Sequence, residues 1–362
     1  MAQHAQTEPD MVTLKAKGID LCFDPQIGMI AQFSVSDGRQ KIAPLHRAPW
    51  VGSDETMPAD AAPHLAKLGG DFFCAPFAGC AEGSPLHGWT ANSEWQVVSC
   101  HTARLEARLA RAVFGGAVTK TLTLRDGHPF VYQSHVFSGC TGEVSMANHA
   151  NLSLPDGGLI ATSPKAAWMT LPEPLEPDPT RGRSSLIYPE MHSDMQSFPG
   201  KDGPVDLSTY PWLPSHEEFV AGIEAAGHTL GWTAVTRPVQ GDVFLSLRCA
   251  SVLPMTMFWH SNGGRDYAPW SSRHFGCLGI EEGAAVDMLG DDRDVPLSAP
   301  GQVALNPDQP TRIAHAIGAI PWPSGSRLRD VDLAGNALRI AGTCGAQVSI
   351  PFDATHLFAM PD

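Results

Sequence analysis

The sequence has few charged residues and no long uninterrupted apolar run. Charged residues make up 17% of the chain and hydrophobic residues 43%, a balance that excludes intrinsic disorder and supplies a sizeable core. Lys and Arg number 24 against 38 Asp and Glu, and the resulting net charge of -14 opposes the counterion release that drives nucleic-acid binding. We therefore expect a globular protein with no nucleic-acid partner.

Targeting and cross-linking signals are also absent from the sequence. No stretch reaches the roughly 18 apolar residues that a membrane-spanning helix needs. Residues 1–10 lack the basic start and apolar run of a secretory signal. The eight cysteines form no CxxC pair and no disulfide-framework spacing, which predicts reduced thiols. These features favour a cytoplasmic location without a membrane partner.

Helical periodicity is scarce, and 35 Gly and 31 Pro residues divide the chain into short segments. Segments rich in Val, Leu, Ile, Thr and Phe between such breaks are typical of short strands joined by turns. The clearest hairpin joins residues 117–124 to residues 130–137 through an Asp-Gly turn. Residues 217–226 fit either one or two helical turns or a strand paired with residues 229–235. The proline-rich residues 154–214 predict loops and edge hairpins.

Four short motifs combine glycine or asparagine with groups able to transfer protons. In chain order they are Gly69-Gly70, His87-Gly88, Asn148-His149 and Glu281. None matches a phosphate-binding loop, a zinc protease or a nucleophile elbow. In this combination and order, the chain resembles the galactose mutarotase-like (aldose 1-epimerase) superfamily.

The resemblance implies a fold, a domain division and a reaction. The fold would be all-β, a large antiparallel β-sandwich (the supersandwich of that superfamily) with few or no helices. Residues 1–18 would be an N-terminal tail, residues 19–317 the sandwich domain, and residues 318–362 a C-terminal β extension packed on the same domain. The reaction would be a cofactor-independent interconversion of the anomers of a small aldose, neutral or acidic, by acid–base opening and closure of the sugar ring.

The resemblance also implies roles for three residues. Glu281 matches the family's base at the anomeric hydroxyl, and His149 matches its acid at the ring oxygen. His87 matches a second histidine that binds the sugar.

Five further residues are expected to bind the sugar. Amides would hydrogen-bond its hydroxyls, indole rings would stack on its apolar face, and an arginine brought in by a Gly-Gly turn would bind an acidic substituent. An ion pair between this arginine and Asp266 or Glu282 is the alternative reading. The five residues are Asn148, Asn262, Trp89, Trp270 and Arg265.

The chain departs from the family pattern in the Gly-Gly region, because residues 75–80 lack the Asn-Arg pair that contacts the sugar in many mutarotases. The family's sugar-binding aspartate has only Asp202 and Asp206 as candidates, and Glu282 is expected at the surface. These departures keep two other functions open: a catalytically silent carbohydrate-binding or sensing protein, and a polysaccharide lyase or hydrolase on the same scaffold.

The sequence predicts no metal ion and no cofactor. Among the histidines near the motifs, no pair has the HxH or HxxxH spacing of common metal sites; these histidines are His87, His149, His260 and His274. The expected partner is a small-molecule carbohydrate, and the expected assembly is a monomer or homodimer.

Overall fold

The computed structural model describes residues 11–77, 83–290 and 293–359, which fold almost entirely into β-strands. The strands are β1 (Val12–Ala16), β2 (Ile19–Asp24), β3 (Met29–Ser36), β4 (Lys41–Ile42), β5 (Asp71–Cys74), β6 (Trp95–His101), β7 (Arg104–Leu109), β8 (Ala117–Thr123), β9 (Phe130–Ser138), β10 (Gly142–Val144), β11 (Met146–Ser153), β12 (Gly158–Thr162), β13 (Lys165–Thr170), β14 (Met191–His192), β15 (Thr209–Tyr210), β16 (His216–Glu224), β17 (Leu230–Arg237), β18 (Asp242–Cys249), β19 (Met255–Asn262), β20 (Cys277–Ala284), β21 (Val303–Leu305), β22 (Thr311–Pro321), β23 (Leu328–Leu333), β24 (Ala337–Gly342) and β25 (Gln347–Pro351).

Helical structure in the described ranges is short. It consists of the four-residue helix α1 (Thr355–Phe358) and three 3-10 turns, at Pro63–Lys67, Met195–Ser197 and Val286–Leu289. None of these helices has the length and apolar character needed to cross a membrane.

Two large antiparallel sheets form the body of the molecule. The first sheet has the strand order β1-β2-β3-β5-β11-β20-β19-β16-β13-β14, with β4 added on β3. The second sheet has the order β15-β12-β17-β18-β22-β9-β8-β7-β6, and β10 pairs separately with β21. The predicted all-β sandwich is confirmed.

Apolar side chains cover both faces of the first sheet, because successive residues of a strand point to opposite faces. On the inner face, Phe33 belongs to a core shared with Phe244 of the second sheet. On the outer face, Ala147 and Phe219 belong to a separate apolar cluster. Polar residues on the outer face are therefore set in apolar surroundings, where their charges are poorly screened.

The last three strands form a small sheet of their own, β23-β24-β25. Its apolar residues Leu338 and Ile340 share a cluster with Trp232 and Leu245, which lie on the second large sheet. The domain boundaries at residues 18 and 317 remain a proposal. Strand β1 lies before residue 18 and pairs with β2 after it, and β22 continues through residue 317.

Local turn chemistry predicted the hairpin correctly, since β8 and β9 pair from Ala117 opposite Ser138 to Thr123 opposite Tyr132. For residues 217–226, the strand alternative is right and the helical one wrong, because β16 covers His216–Glu224. Its expected pairing with residues 229–235 is also wrong. The chain crosses between the two sheets after β16, so β16 pairs with β13 and β19 while β17 joins the second sheet.

Candidate active site

A cavity of about 1090 Å³ lies on the outer face of the first sheet. Its wall combines imidazole, indole, guanidinium and carboxyl groups, a mixture suited to a ligand that has both hydroxyls and an apolar ring face. The polar and aromatic residues discussed below that line it are His64, His87, His149, Arg181, Trp259, Arg265, Tyr267, Trp270 and Glu281.

His149 and Glu281 are direct cross-strand neighbours at the centre of this wall. They lie opposite each other in the register of β11 and β20, and His149 Nε2 is 3.0 Å from Glu281 Oε1. Both side chains are almost fully buried, and the imidazole stacks on Phe72 with ring centroids 4.5 Å apart. Within the described residues, neither His149 Nδ1 nor Glu281 Oε2 has a hydrogen-bond partner. The pair therefore retains hydrogen-bonding capacity toward a bound molecule.

Adjacent residues of a strand point to opposite faces, so Asn148 beside His149 and Glu282 beside Glu281 point into the sandwich. Asn148 is buried on the inner face and does not line the cavity, so its expected contact with a sugar is not found. The expectation that Glu282 lies at the surface is wrong. Glu282 is fully buried, forms an ion pair with Arg248, and accepts hydrogen bonds from Thr233 and Thr256 at 2.6 and 2.9 Å.

His87 reaches the cavity from a tight turn, in which Gly88 N–H donates to Pro85 O at 2.9 Å, in the segment between β5 and β6. Its backbone has a φ of 65°, and Gly88 follows with a φ of 68°. Any Cβ on Gly88 would lie 2.1 Å from the carbonyl oxygen of Ala75, so only glycine fits at this crossing. Asn92 holds the loop by donating to the carbonyl oxygens of Leu86 and Gly88 at 2.8 and 2.6 Å. The His87 ring centroid comes to 5.2 Å from that of His149.

His64 is a cavity residue that sequence reasoning missed. Its ring centroid is 4.9 Å from that of His87, and its Nδ1 lies 3.0 Å from Asn92 Oδ1. Because an amide oxygen only accepts, Nδ1 of His64 carries the proton and Nε2 is left as an acceptor. The same Asn92 side chain thus positions two histidines of the wall.

Burial keeps both of these imidazoles neutral. It lowers the pKa of His64 to about 4. It also lowers the pKa of His87 well below the usual range, with help from the neighbouring His64 and His149, although part of the His87 ring reaches the cavity surface. At neutral pH these two residues can hydrogen-bond a ligand but do not add positive charge.

Arg265 also lines the cavity, and its ion-pair partner is neither of the two that the sequence suggested. Its guanidinium lies 3.1 Å from a carboxylate oxygen of Glu217 and 4.6 Å from the centroid of Trp270. Neither Asp266 nor Glu282 pairs with it. Glu217 also accepts hydrogen bonds from Trp259 and from Ser261. The cavity thus brings together Arg265 and Trp270 with the three central residues.

Four other candidates lie away from the cavity lining. Trp89 stacks under Arg111, whose guanidinium carbon is 3.6 Å from its ring centroid. Asn262 donates to the carbonyl oxygens of Leu213 and Pro214. Asp206 holds a local turn through Ser208, and Asp202 is exposed. Residues 78–80, in the segment without the family's Asn-Arg pair, lie outside the described residues.

The residues that were missed come from segments with weak sequence signals. Trp259 stands in an apolar strand, and Arg181 and Tyr267 stand in irregular loops that meet at the cavity rim. Arg181 lies over the ring of Tyr267 at 4.2 Å and pairs with Glu176 at 3.3 Å. No local pattern marks such residues, because their proximity arises from loop packing.

Comparison with known proteins gives a structural likeness only. No protein-family model matches the sequence, and no curated protein does. A candidate aldose 1-epimerase from Escherichia coli K12 superimposes with a TM-score of 0.57 at 14% identity, over 86% of this chain and 98% of that one. A galactose mutarotase related enzyme from Lactobacillus acidophilus gives 0.55 at 10% identity, over 86% and 97% of the two chains. An aldose epimerase homologue from C. elegans gives 0.54 at 13% identity, over 86% and 99%. The chain therefore has the galactose mutarotase-like (aldose 1-epimerase) fold.

Proposed function

We propose that this protein is a cofactor-independent isomerase of the aldose 1-epimerase type, which interconverts the α and β anomers of a small aldose. The observation that carries the proposal is the buried pair of His149 and Glu281, joined at 3.0 Å in the wall of the cavity. The fold shared with mutarotase-like structures supports it.

The reaction needs one base and one acid. Glu281 removes the proton of the anomeric hydroxyl while His149 gives a proton to the ring oxygen, so the bond between the anomeric carbon and the ring oxygen breaks and an open-chain aldehyde forms. Rotation about the adjacent carbon–carbon bond presents the other face of the aldehyde. Closure then returns the proton from the hydroxyl to His149 and the proton on Glu281 to the new anomeric oxygen.

His87 serves as a neutral hydrogen-bonding group in this scheme. Its lowered pKa means that it does not compete with His149 as a proton donor at neutral pH. The cavity, at about 1090 Å³, is large enough for a monosaccharide.

The test is NMR exchange between the α and β signals of a panel of aldoses. The wild-type protein should accelerate exchange for at least one sugar, and Glu281→Gln and His149→Asn should each slow it about 100-fold to 10,000-fold. Glu143→Gln is the matched control, because Glu143 is exposed on β10 away from the cavity.

Failure of the wild-type protein to accelerate any sugar would refute the isomerase, as would full activity in Glu281→Gln. Tight sugar binding by calorimetry without exchange would select the catalytically silent carbohydrate-binding protein instead.

Arg265 favours an acidic aldose as substrate, because its guanidinium lies on the cavity wall and, although it pairs with Glu217, its Nε has no partner among the described residues, so it can also bind a carboxylate or phosphate. Arg265→Ala should weaken binding of an acidic sugar about tenfold or more and leave a neutral analogue unaffected. Arg273→Ala is the control, since Arg273 pairs with exposed Glu55 outside the cavity lining. Equal effects on both sugars would remove the acidic-substrate assignment and leave the isomerase intact.

A further inference from the structure

Three potential metal ligands converge beside the cavity but outside its lining. They are His46, His274 and Cys277, and their ligand atoms all lie within 4.8 Å of one another. His46 Nε2 is 3.1 Å from His274 Nε2. We propose that these three side chains bind one divalent metal ion of the zinc type, at a site separate from the sugar cavity.

The spacing of the two imidazoles is already close to that of a metal site. Tetrahedral Zn²⁺ with ordinary bond lengths separates two nitrogen ligands by about 3.3 Å and a nitrogen from a sulfur by about 3.6 Å. The observed 3.1 Å between Nε2 atoms fits the first value. Cys277 Sγ and the two nitrogens have to approach by about 1.2 Å at most, a movement that the three side chains can share.

A chain of hydrogen bonds determines which nitrogen of His274 is free to bind metal. Ser261 Oγ donates to Glu217 Oε2 at 2.9 Å, and it lies 2.8 Å from His274 Nδ1. Because the hydroxyl proton is directed to the carboxylate, Nδ1 of His274 must donate to Ser261 Oγ. The lone pair of His274 is therefore on Nε2, the atom that faces His46. This arrangement of carboxylate, hydroxyl and imidazole is the kind that orients metal-bound histidines.

Local sequence also suits a metal site, through a spacing other than HxH or HxxxH. His274 and Cys277 have an HxxC spacing, so one turn supplies two ligands, as CxxC turns do in zinc sites. Gly276 in that turn has a φ of 64°, which favours glycine.

The three side chains are uncharged at pH 7 in the absence of metal. Burial lowers the pKa of His46 to about 4 and that of His274 well below the usual range, so both imidazoles are neutral ligands at pH 7. Burial, with the nearby carboxylates of Glu217 and Glu281, raises the pKa of the Cys277 thiol. The Arg265 guanidinium, which is paired with Glu217, also acts on His274 and lowers its pKa further.

Metal binding has a defined proton balance. Without metal, Nε2–H of His46 donates to the lone pair of His274 Nε2. On binding, His46 carries its proton on Nδ1 instead, and both Nε2 atoms ligate. Cys277 loses its thiol proton to solvent, so one proton is released for each metal ion bound.

The proposed metal site, with three protein ligands and a fourth position open to water, does not depend on the proposed isomerase activity. Cys277 and Glu281 lie on the same face of β20, about 13 Å apart along the strand. His274 stacks on Trp259, with ring centroids 5.5 Å apart, and contacts Trp50 and Trp270 edge-on or tilted. A metal ion bound to His274 would hold in place the imidazole on which Trp259 and Trp270 of the cavity lining pack.

The test uses the full chain freed of metal with a chelator, then titrated with Zn²⁺ and, in parallel, with Co²⁺. We expect one equivalent to bind, one proton to be released at pH 7, and Co²⁺ to show a thiolate charge-transfer band with tetrahedral d–d absorption. Cys277→Ser should abolish the charge-transfer band. Ser261→Ala, a milder change that leaves all three ligands, should weaken Zn²⁺ binding about 10-fold to 100-fold.

Cys344→Ser is the control, because Cys344 is exposed and a hydrogen bond with Ser326 lowers the pKa of its thiol, so it can bind adventitious metal. This variant should bind metal as the wild type does. The proposal is overturned if the wild-type protein binds no stoichiometric Zn²⁺ or Co²⁺, or if the thiolate band survives Cys277→Ser.

Discussion

Arg248 is the cation at the centre of a buried charge network inside the sandwich, and we expect Arg248→Met to be strongly destabilising. Its side chain is fully buried and contacts the carboxylates of Glu224 and Glu282, which are also fully buried. Glu224 has Lys165 as a second cation. For Glu282, no other cation contacts the carboxylate among the described residues. The substitution would leave an unpaired charge in the core.

The magnitude follows from the loss of one partner of a buried ion pair, which costs about 3–5 kcal/mol of unfolding free energy. Part of this cost depends on pH. Burial raises the pKa of Glu224, but Lys165 and Arg248 outweigh that effect and bring it to about 2. Burial lowers the pKa of Lys165 to about 8, so the amine is still charged at pH 7 and the pair is intact.

Since the folded-state pKa of Glu224 lies below its usual value of 4.5, the group stabilises the fold by about 3 kcal/mol above pH 4.5. That contribution is lost as the pH falls from 4.5 toward 2. Arg248→Met should therefore lose stability mainly at neutral pH and should differ less from the wild type near pH 3.

The assay is urea unfolding followed by tryptophan fluorescence at pH 7 and pH 3. Arg104→Met is the matched control, because Arg104 is 52% exposed and lies 3.6 Å from Glu106, a surface pair worth less than about 1 kcal/mol. If Arg248→Met lowers the unfolding free energy at pH 7 no more than Arg104→Met does, the buried network does not stabilise the fold as argued.

Three further predictions concern the cavity loop, acid stability and the indole wall. Gly88→Ala should destabilise the fold by about 1–3 kcal/mol and weaken sugar binding, measured by urea unfolding and calorimetry, because its Cβ would meet Ala75 O at 2.1 Å. Gly127→Ala, with a φ of 75° and nothing within 4 Å, should cost less and leave binding intact. Burial lowers the pKa of both His64 and His216 to about 4 from 6.5, so the unfolded state binds more protons than the folded state between pH 6.5 and 4. The free energy of unfolding should therefore fall by about 2 kcal/mol per group between pH 8 and pH 5. Equal urea midpoints at the two pH values would contradict this. Trp270→Ala should weaken sugar binding by about 1 kcal/mol in calorimetry, whereas Trp89→Ala, outside the cavity lining, should not.

Several features were predictable from the sequence because they depend on neighbours along the chain. The Asp-Gly turn between β8 and β9 is one, since turn residues and alternating strands specify a hairpin locally. The order of the glycine, histidine and glutamate motifs predicted the fold. Alternation on β11 would also have excluded Asn148 as a sugar-binding residue. Adjacent residues of a strand face opposite ways, so Asn148 cannot share the outer face with His149.

The sequence by itself determined the all-β class, through patterns of period two, and its resemblance to the mutarotase-like superfamily implied the roles of His149 and Glu281. Only the tertiary structure decided that β11 and β20 are neighbours in a register that joins these two side chains at 3.0 Å. It also decided that Arg248 reaches Glu282 from the other sheet, and that His46 meets His274 across 228 positions of sequence. The physical reason is that strand partners in a sandwich are selected by burial of both sheet faces together, a property of the whole chain that no local segment carries.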